Sequence, residues 1–290
     1  SGDLLSAEDR KKLGQNLVGY DISPDMTRIS LVNMYLHKFA NPEIHEYDTL
    51  SSEDRWNEYF DVILANPPFF SPTGGIKPHD RFGVKSTRAE VLFVDYIMEH
   101  LKPNGRAGII VPEGIIFQTG TAYKTIREQL VESSLVGVIS LPAGVFNPYS
   151  GVKTSILILD KELNQKSESI FFAVVENDGF SLGAQRTLIQ GSDLSIIPKE
   201  IRNFLSGQAS KILQIVSKSK LLDDTSVSFN GSLYLEREIY QHQSYETFEL
   251  GEVCNFINGS AFKPTDWINK DEGGLPIVRI HNLNNNNASF

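Results

Sequence analysis

Residues 61–70, Asp-Val-Ile-Leu-Ala-Asn-Pro-Pro-Phe-Phe, constrain this chain most, because an apolar run of strand length stops at a polar, rigid tetrapeptide. Nothing polar alternates through residues 62–65, which predicts a strand buried on both faces. Asn66 precedes a proline and is biased to extended backbone, while Pro67 and Pro68 fix φ and donate no hydrogen bond. A stiff shelf therefore follows the strand. Open α/β sheets bind ligands in the crevice outside the carboxyl ends of their strands, so the shelf stands at a natural binding position.

The shelf offers two acceptors, the Asn66 side-chain oxygen and the Pro67 carbonyl, with the Phe69 ring close behind. An exocyclic amine on a nucleobase is a poor nucleophile, because its lone pair is delocalised into the ring. Two acceptors holding its two hydrogens favour a pyramidal nitrogen with its lone pair free, while Phe69 stacks on the base. Taken alone, the tetrapeptide reads about as well as an ordinary strand-ending turn.

The 290 residues are 40% hydrophobic and 22% charged, ordinary globular material for one large domain and part of another. Cys254 is the single cysteine, so no internal disulfide is possible, and a reducing, cytoplasmic setting is expected. His37, His45, His79, His100, His242 and His281 have no metal-ligand spacing with acids or cysteine, and no metal is assigned. No apolar run approaches membrane-spanning length, so no membrane partner is expected.

A formal charge of −9 argues against a protein that coats DNA with its whole surface. A local basic face is still open. Lys77, His79, Arg81, Lys85 and Arg88 gather against Asp80 alone, in a long loop marked by Pro72, Gly74, Gly75 and Pro78. By composition this is equally a solvated charged loop; its place just beyond the shelf favours contact with a duplex.

Along the chain, residues 17–21 read as a second buried strand ending in Asp21, and Ser23-Pro24 caps the helix that follows, marked by Met26, Ile29, Leu36 and Phe39. A short strand around Ile44, a helix from Ser86 closed by Lys102-Pro103-Asn104-Gly105, and a strand at 107–111 come next. Helix 121–132 and strands 135–141, 154–159 and 170–175 complete a β/α alternation. Residues 201–220 read as helical, within a connector at 188–245.

Asn-Pro-Pro-Phe after a strand resembles the catalytic motif of S-adenosylmethionine-dependent amino-group DNA methyltransferases, adenine-N6 enzymes in particular, which flip the target nucleotide out of the duplex. More specifically, Leu-Pro-Ala-Gly-Val-Phe at 141–146, Gly151-Val152-Lys153-Thr154 and Phe-Ser-Leu-Gly-Ala-Gln-Arg at 180–186 resemble the modification subunits of type I restriction-modification systems. The resemblance implies a Rossmann-like methyltransferase with a mostly parallel sheet at 1–187. It implies catalytic roles for Asn66, Pro67, Pro68 and Phe69, and Phe146 on the other face of the flipped adenine. Gly2, Asp21, Ile22, Asp48, Thr49 and Phe93 match positions that hold S-adenosylmethionine, and Lys77, Arg81, Lys85 and Arg88 are expected on DNA. Asp48 also reads as a cap or turn residue, and Phe93 and Phe146 as core aromatics.

Ser1-Gly2 then looks like the tail of the cofactor glycine loop, so the first strand is expected to be missing. Residues 246–290, from Leu250-Gly251-Glu252-Val253 to Pro276-Ile277-Val278-Arg279-Ile280, resemble the start of an α+β target recognition domain of type I specificity subunits. A fusion of modification and specificity parts is the expectation, with double-stranded DNA, specificity and endonuclease subunits as partners. The alternatives are methylation of cytosine N4 or of a protein glutamine amide on the same shelf, and a non-catalytic scaffold that docks to DNA.

Overall fold

Ser6 and Ser23 each open a helix by accepting a backbone N–H three residues on, from Asp9 at 3.1 Å and from Met26 at 3.4 Å. The computed structural model describes residues 4–69, 75–183, 185–210, 212–234, 248 and 250–254. In it these caps begin α1 (Ala7–Asn16) and α2 (Pro24–Leu36), with β1 (Val18–Asp21) between them. β2 (Glu43–Glu46) lies parallel to β1, from Val18 opposite Glu43 to Asp21 opposite Glu46.

The second sheet takes in β3 (Phe60–Ala65), then, after α3 (Ala89–His100), β4 (Leu101–Pro112). Helices α4 (Glu113–Phe117) and α5 (Thr121–Ser133) lead to β5 (Leu135–Ser140) and β6 (Thr154–Asp160). After α6 (Lys161–Lys166) come β7 (Ser169–Val174), α7 (Ile197–Leu205), β8 (Gln214–Ser217) and α8 (Lys218–Asp223). The strand order is β3-β4-β6-β5-β7-β8.

The α/β class is as expected, but the sheet is mixed rather than mostly parallel. β3 with β4 and β5 with β7 run parallel, whereas β6 is antiparallel to both its neighbours and β8 to β7. The reason is local: β5 and β6 are joined by the loop 141–153, with no helix in it to return the chain for a parallel crossover. Residues 201–220 are likewise not one helix. Ser206 caps α7 and Gly207, with φ of +77°, ends it, and β8 adds a strand to β7, pairing from Ser169 opposite Ser217 to Phe172 opposite Gln214.

Nor is β3 buried on both faces: Val62 is 54% and Leu64 82% exposed. Among the described residues β3 pairs only with β4, so one edge and one face lack cover. Met26, Ile29 and Leu36 of α2 are exposed as well, although the helix forms where the sequence places it. Residues 102–105 bulge outward as the register jumps from Phe60 opposite Leu101 to Val62 opposite Arg106, and a Cβ on Gly105 would lie 3.0 Å from the Lys102 backbone.

The core fills both faces of the sheet from β4 to β7. Ile109, Val138, Leu157, Ile170 and Phe172 pack on one side with Val94, Ile126 and Leu130; Val136, Ile139, Phe171 and Ala173 pack on the other with Ile197. Gly137 is required here, because a Cβ would stand 2.1 Å from the Phe171 ring on β7. The chain divides into two compact units, Ser1–Glu236 and Arg237–Phe290. Of the second, residue 248, the short helix Leu250–Val253 and Cys254, which is exposed, are described; the rest of the expected recognition segment lies outside the described residues. Among the described residues no helix is long and apolar enough to cross a membrane.

Arg127 on α5 is fully buried and, among the described residues, faces no carboxylate at bonding distance. Its guanidinium donates to the carbonyls of Val227 (2.9 Å), Ile115 (3.0 Å), Gln118 (2.7 Å) and Ser226 (2.8 Å), tying the segment after α8 to the helical layer. Removing it strands buried acceptors. Arg127→Met is expected to cost about 2–4 kcal/mol, read as a lower urea midpoint with an unchanged slope; an unchanged midpoint would show the clamp to be dispensable.

Candidate active site

The sheet's topology decides what meets at the carboxyl end of β3. β3 and β4 are parallel and end together, Ala65 opposite Ile109 with Pro112 three residues further. β6 starts at that level, Thr154 opposite Pro112, and Ser140 at the end of β5 stands opposite Ser155. Loop 141–153 is therefore pinned beside the Asn66 shelf. Two backbone bonds hold its ends, Leu141 N–H to the Thr154 carbonyl (3.0 Å) and Glu113 N–H to the Lys153 carbonyl (3.2 Å).

This brings Phe146 to Phe69, with ring centroids 5.7 Å apart and planes inclined by 58°. Asn66 and Pro68 are exposed, and Pro67, Phe69 and Phe146 half-buried. The two aromatics named from sequence thus form a pair, but a closed one. Rings in direct contact leave no slot for a third, so a base enters only as they part.

Asp21 ends β1, and Asp48 follows the neighbouring β2 by two residues. The Asp21 carbonyl accepts from Tyr47 N–H (3.0 Å), and Asp21 Oδ1 accepts from Ser23 N–H (2.8 Å). Asp21 Oδ2 makes no hydrogen bond among the described residues, so a half-buried carboxylate oxygen remains for a hydroxyl donor. Asp48 behaves as the turn residue: Oδ1 accepts from Leu50 N–H (3.0 Å) and Ser51 N–H (3.3 Å), and Oδ2 from the Ser51 hydroxyl. Ile22 is exposed, Thr49 half-buried, and Phe93 packs half-buried on the cluster of Leu50, Ala89 and Leu92. Gly2 lies outside the described residues.

The basic loop is docked rather than free. Ile76 N–H donates to the Thr87 carbonyl (2.9 Å), His79 N–H to the Leu50 carbonyl (3.2 Å), and Val84 N–H to Asp95 Oδ2 (2.8 Å). Asp95 sits on the otherwise apolar face of α3, and burial raises its carboxyl above the ordinary range against the hydrogen bonds from Val84 and Gly83. Arg81 lies over the Trp56 ring at 5.4 Å and donates to Asn57 Oδ1 (3.2 Å), so it supports the loop. Lys77, Lys85 and Arg88 are exposed. Trp56 and Asp95, which organise this loop, were not marked by the sequence, although a lone acid on an apolar helix face was the available signal for the second.

The N-6 DNA methylase family model matches residues 2–224. The chain belongs to the N-6 DNA methylase family. It is 33% identical over 172 residues to the type I restriction enzyme EcoEI methylase subunit of Escherichia coli, covering 58% of this chain and 35% of that protein. To the MpnII methylase subunit of Mycoplasma pneumoniae it is 32% identical over 205 residues, 61% of this chain and 37% of that one. Among solved structures, one of a type I restriction-modification system in assembly matches with a TM-score of 0.65 at 26% identity, over 87% of this chain and 53% of that one. The type I methyltransferase subunit of Streptococcus thermophilus matches at 0.58 and 26%, over 74% and 47%. These neighbours place the fold in the Rossmann-like methyltransferase class. The chain spans between 28% and 41% of the length of the curated type I methylase subunits it matches.

Trp56 also gathers two histidines that burial holds below their ordinary pKa, His79 and His100. His100 Nδ1 donates to the Tyr96 carbonyl (2.7 Å), while Nε2 is buried with no hydrogen-bond partner among the described residues, and burial favours the neutral ring. Below pH 6.5, the ordinary value, the unfolded chain takes up protons that the folded chain refuses, so stability falls with pH. Melting temperature is expected to drop from pH 7.5 to about 5.5 and to drop less in His100→Asn; the same slope in both would remove His100 from the cause.

Proposed function

We propose that this chain carries the catalytic core of a site-specific DNA adenine-N6 methyltransferase of a type I restriction-modification system. The observation that carries the reading is Asn-Pro-Pro-Phe at the carboxyl end of β3 with Phe146 brought against Phe69. Catalysis is assigned to residues 1–187, with 188–245 as a connector and a specificity-like recognition segment from about 246.

S-adenosylmethionine fits the residues present, because Asp21 keeps a carboxylate oxygen, uncommitted among the described residues, for a ribose hydroxyl. Gly2, Ile22, Asp48 and Thr49 complete the proposed cofactor set, Asp48 giving up a turn bond to take part. When bound, the cofactor supplies an electrophilic methyl on sulfonium. Asn66 Oδ1 and the Pro67 carbonyl accept the two hydrogens of the adenine amine and turn its lone pair out of conjugation. Pro68 keeps the shelf rigid, and Phe69 and Phe146 part to hold the base between them. No strong base is required, since the nitrogen's surplus proton passes to water after transfer. Double-stranded DNA, met by Lys77, Lys85 and Arg88 with Arg81 bracing the loop, and specificity and endonuclease subunits are the proposed partners.

Calorimetric titration with S-adenosylmethionine tests the cofactor half. Binding is expected for the parent chain and for Asn66→Ala, and its loss in Asp21→Ala. Asn66→Ala is expected to slow methyl transfer on the order of 10²-fold without weakening cofactor or DNA binding; transfer at the parent rate would overturn the shelf's role.

A further inference from the structure

The loop that presents Phe146 is not held by the strands alone. Arg186 reaches it from a separate hairpin. Its Nη1 donates to the carbonyls of Gly144 (3.2 Å) and Val145, the two residues before Phe146, and its Nη2 to Asp178 Oδ2. The pair is nearly enclosed, with side chains 14% and 6% exposed, and the guanidinium lies 5.4 Å over the Phe180 ring. Just after Phe146, Asn147 Nδ2 donates to the Leu182 carbonyl (2.9 Å). Gly144 has φ of +86°, and a Cβ there would stand 2.8 Å from Asn147 Nδ2, so the approach needs glycine.

Phe146 is thus bracketed on both sides by the same hairpin. The hairpin does not need Arg186 to form: Ser181 N–H donates to the Thr187 carbonyl (2.8 Å), Ile189 N–H to the Gly179 carbonyl (2.9 Å), and Phe180 bridges Leu188. A buried ion pair is a costly way to fasten two loops and adds little net stability, so what it secures is position. Arginine suits the task, because one planar fork spans two carbonyls and a carboxylate, which an ammonium does not.

We infer that Arg186, oriented by Asp178, is a positioning residue that fixes the Phe146 loop over the target base. This rests on the adenine-methylating reading. The backbone beside Phe146 is tied down while its ring meets the Phe69 ring, so the rings part to admit a base and the loop keeps its place.

The test uses the whole chain, unmethylated plasmid DNA and S-adenosylmethionine with a labelled methyl group. Arg186→Met is expected to lower kcat on the order of tenfold or more with the cofactor Kd unchanged, Asp178→Asn to lower it less, and Arg186→Lys to recover part of the rate. Independently of turnover, Phe146→Trp provides a reporter, its emission taken as the difference from the parent. Acrylamide quenching of that emission is expected to rise when Arg186→Met is added and to return towards the start with Arg186→Lys. Unchanged kcat with unchanged quenching overturns the inference, as does a lower melting temperature with both readouts unmoved. If the parent transfers no methyl, the functional reading fails and the quenching comparison alone decides whether Arg186 positions the loop.

Discussion

The position of β6, antiparallel between β4 and β5, is the constraint on which the site depends. A helix crossover there would have carried the chain back to the amino ends of the strands before the next one began. Instead β5 turns directly into β6, so loop 141–153 stays level with the ends of β3 and β4. The rigidity of Asn66-Pro67-Pro68 matters only because a second aromatic is delivered to the same place. Sheet topology, rather than any single contact, sets Phe146 against Phe69.

Around that meeting point polar groups hold loops. Asp48 closes its own turn, Asp95 captures the end of the basic loop, and Arg186 with Asp178 fastens the Phe146 loop. Each secures irregular backbone, which lacks a ladder of its own, through a carboxylate or guanidinium with several bonds to offer. Asp21 differs from them in keeping one oxygen uncommitted among the described residues, as a group meant for a ligand would.

Much of this was legible in the sequence. The strands from Asp21 to Val175 and helices α2, α3 and α5 followed from apolar periodicity and caps, because burial and capping are local signals, whereas the short helices α4 and α6 were not marked. The pairing of Phe69 with Phe146 came from resemblance, since residues 77 apart carry no periodicity that links them. Periodicity failed where tertiary pairing overrode it. Gln214 to Ser217 look helical by composition yet join β7, and Val62 and Leu64 look buried yet stand open, their strand pairing only with β4 among the described residues. Arg127 was illegible for another reason: its partners are backbone carbonyls, which every residue supplies and no motif marks, and the motif at 180–186 contains Arg186 without showing that it reaches the Phe146 loop.

The most direct measurement is the mass of the nucleosides released from unmethylated DNA after incubation with the chain and S-adenosylmethionine bearing a deuterated methyl group. Deuterium is predicted in N6-methyladenine. Deuterium in N4-methylcytosine, or none from a chain that binds the cofactor and the DNA, would contradict the assignment of this shelf to the adenine amine.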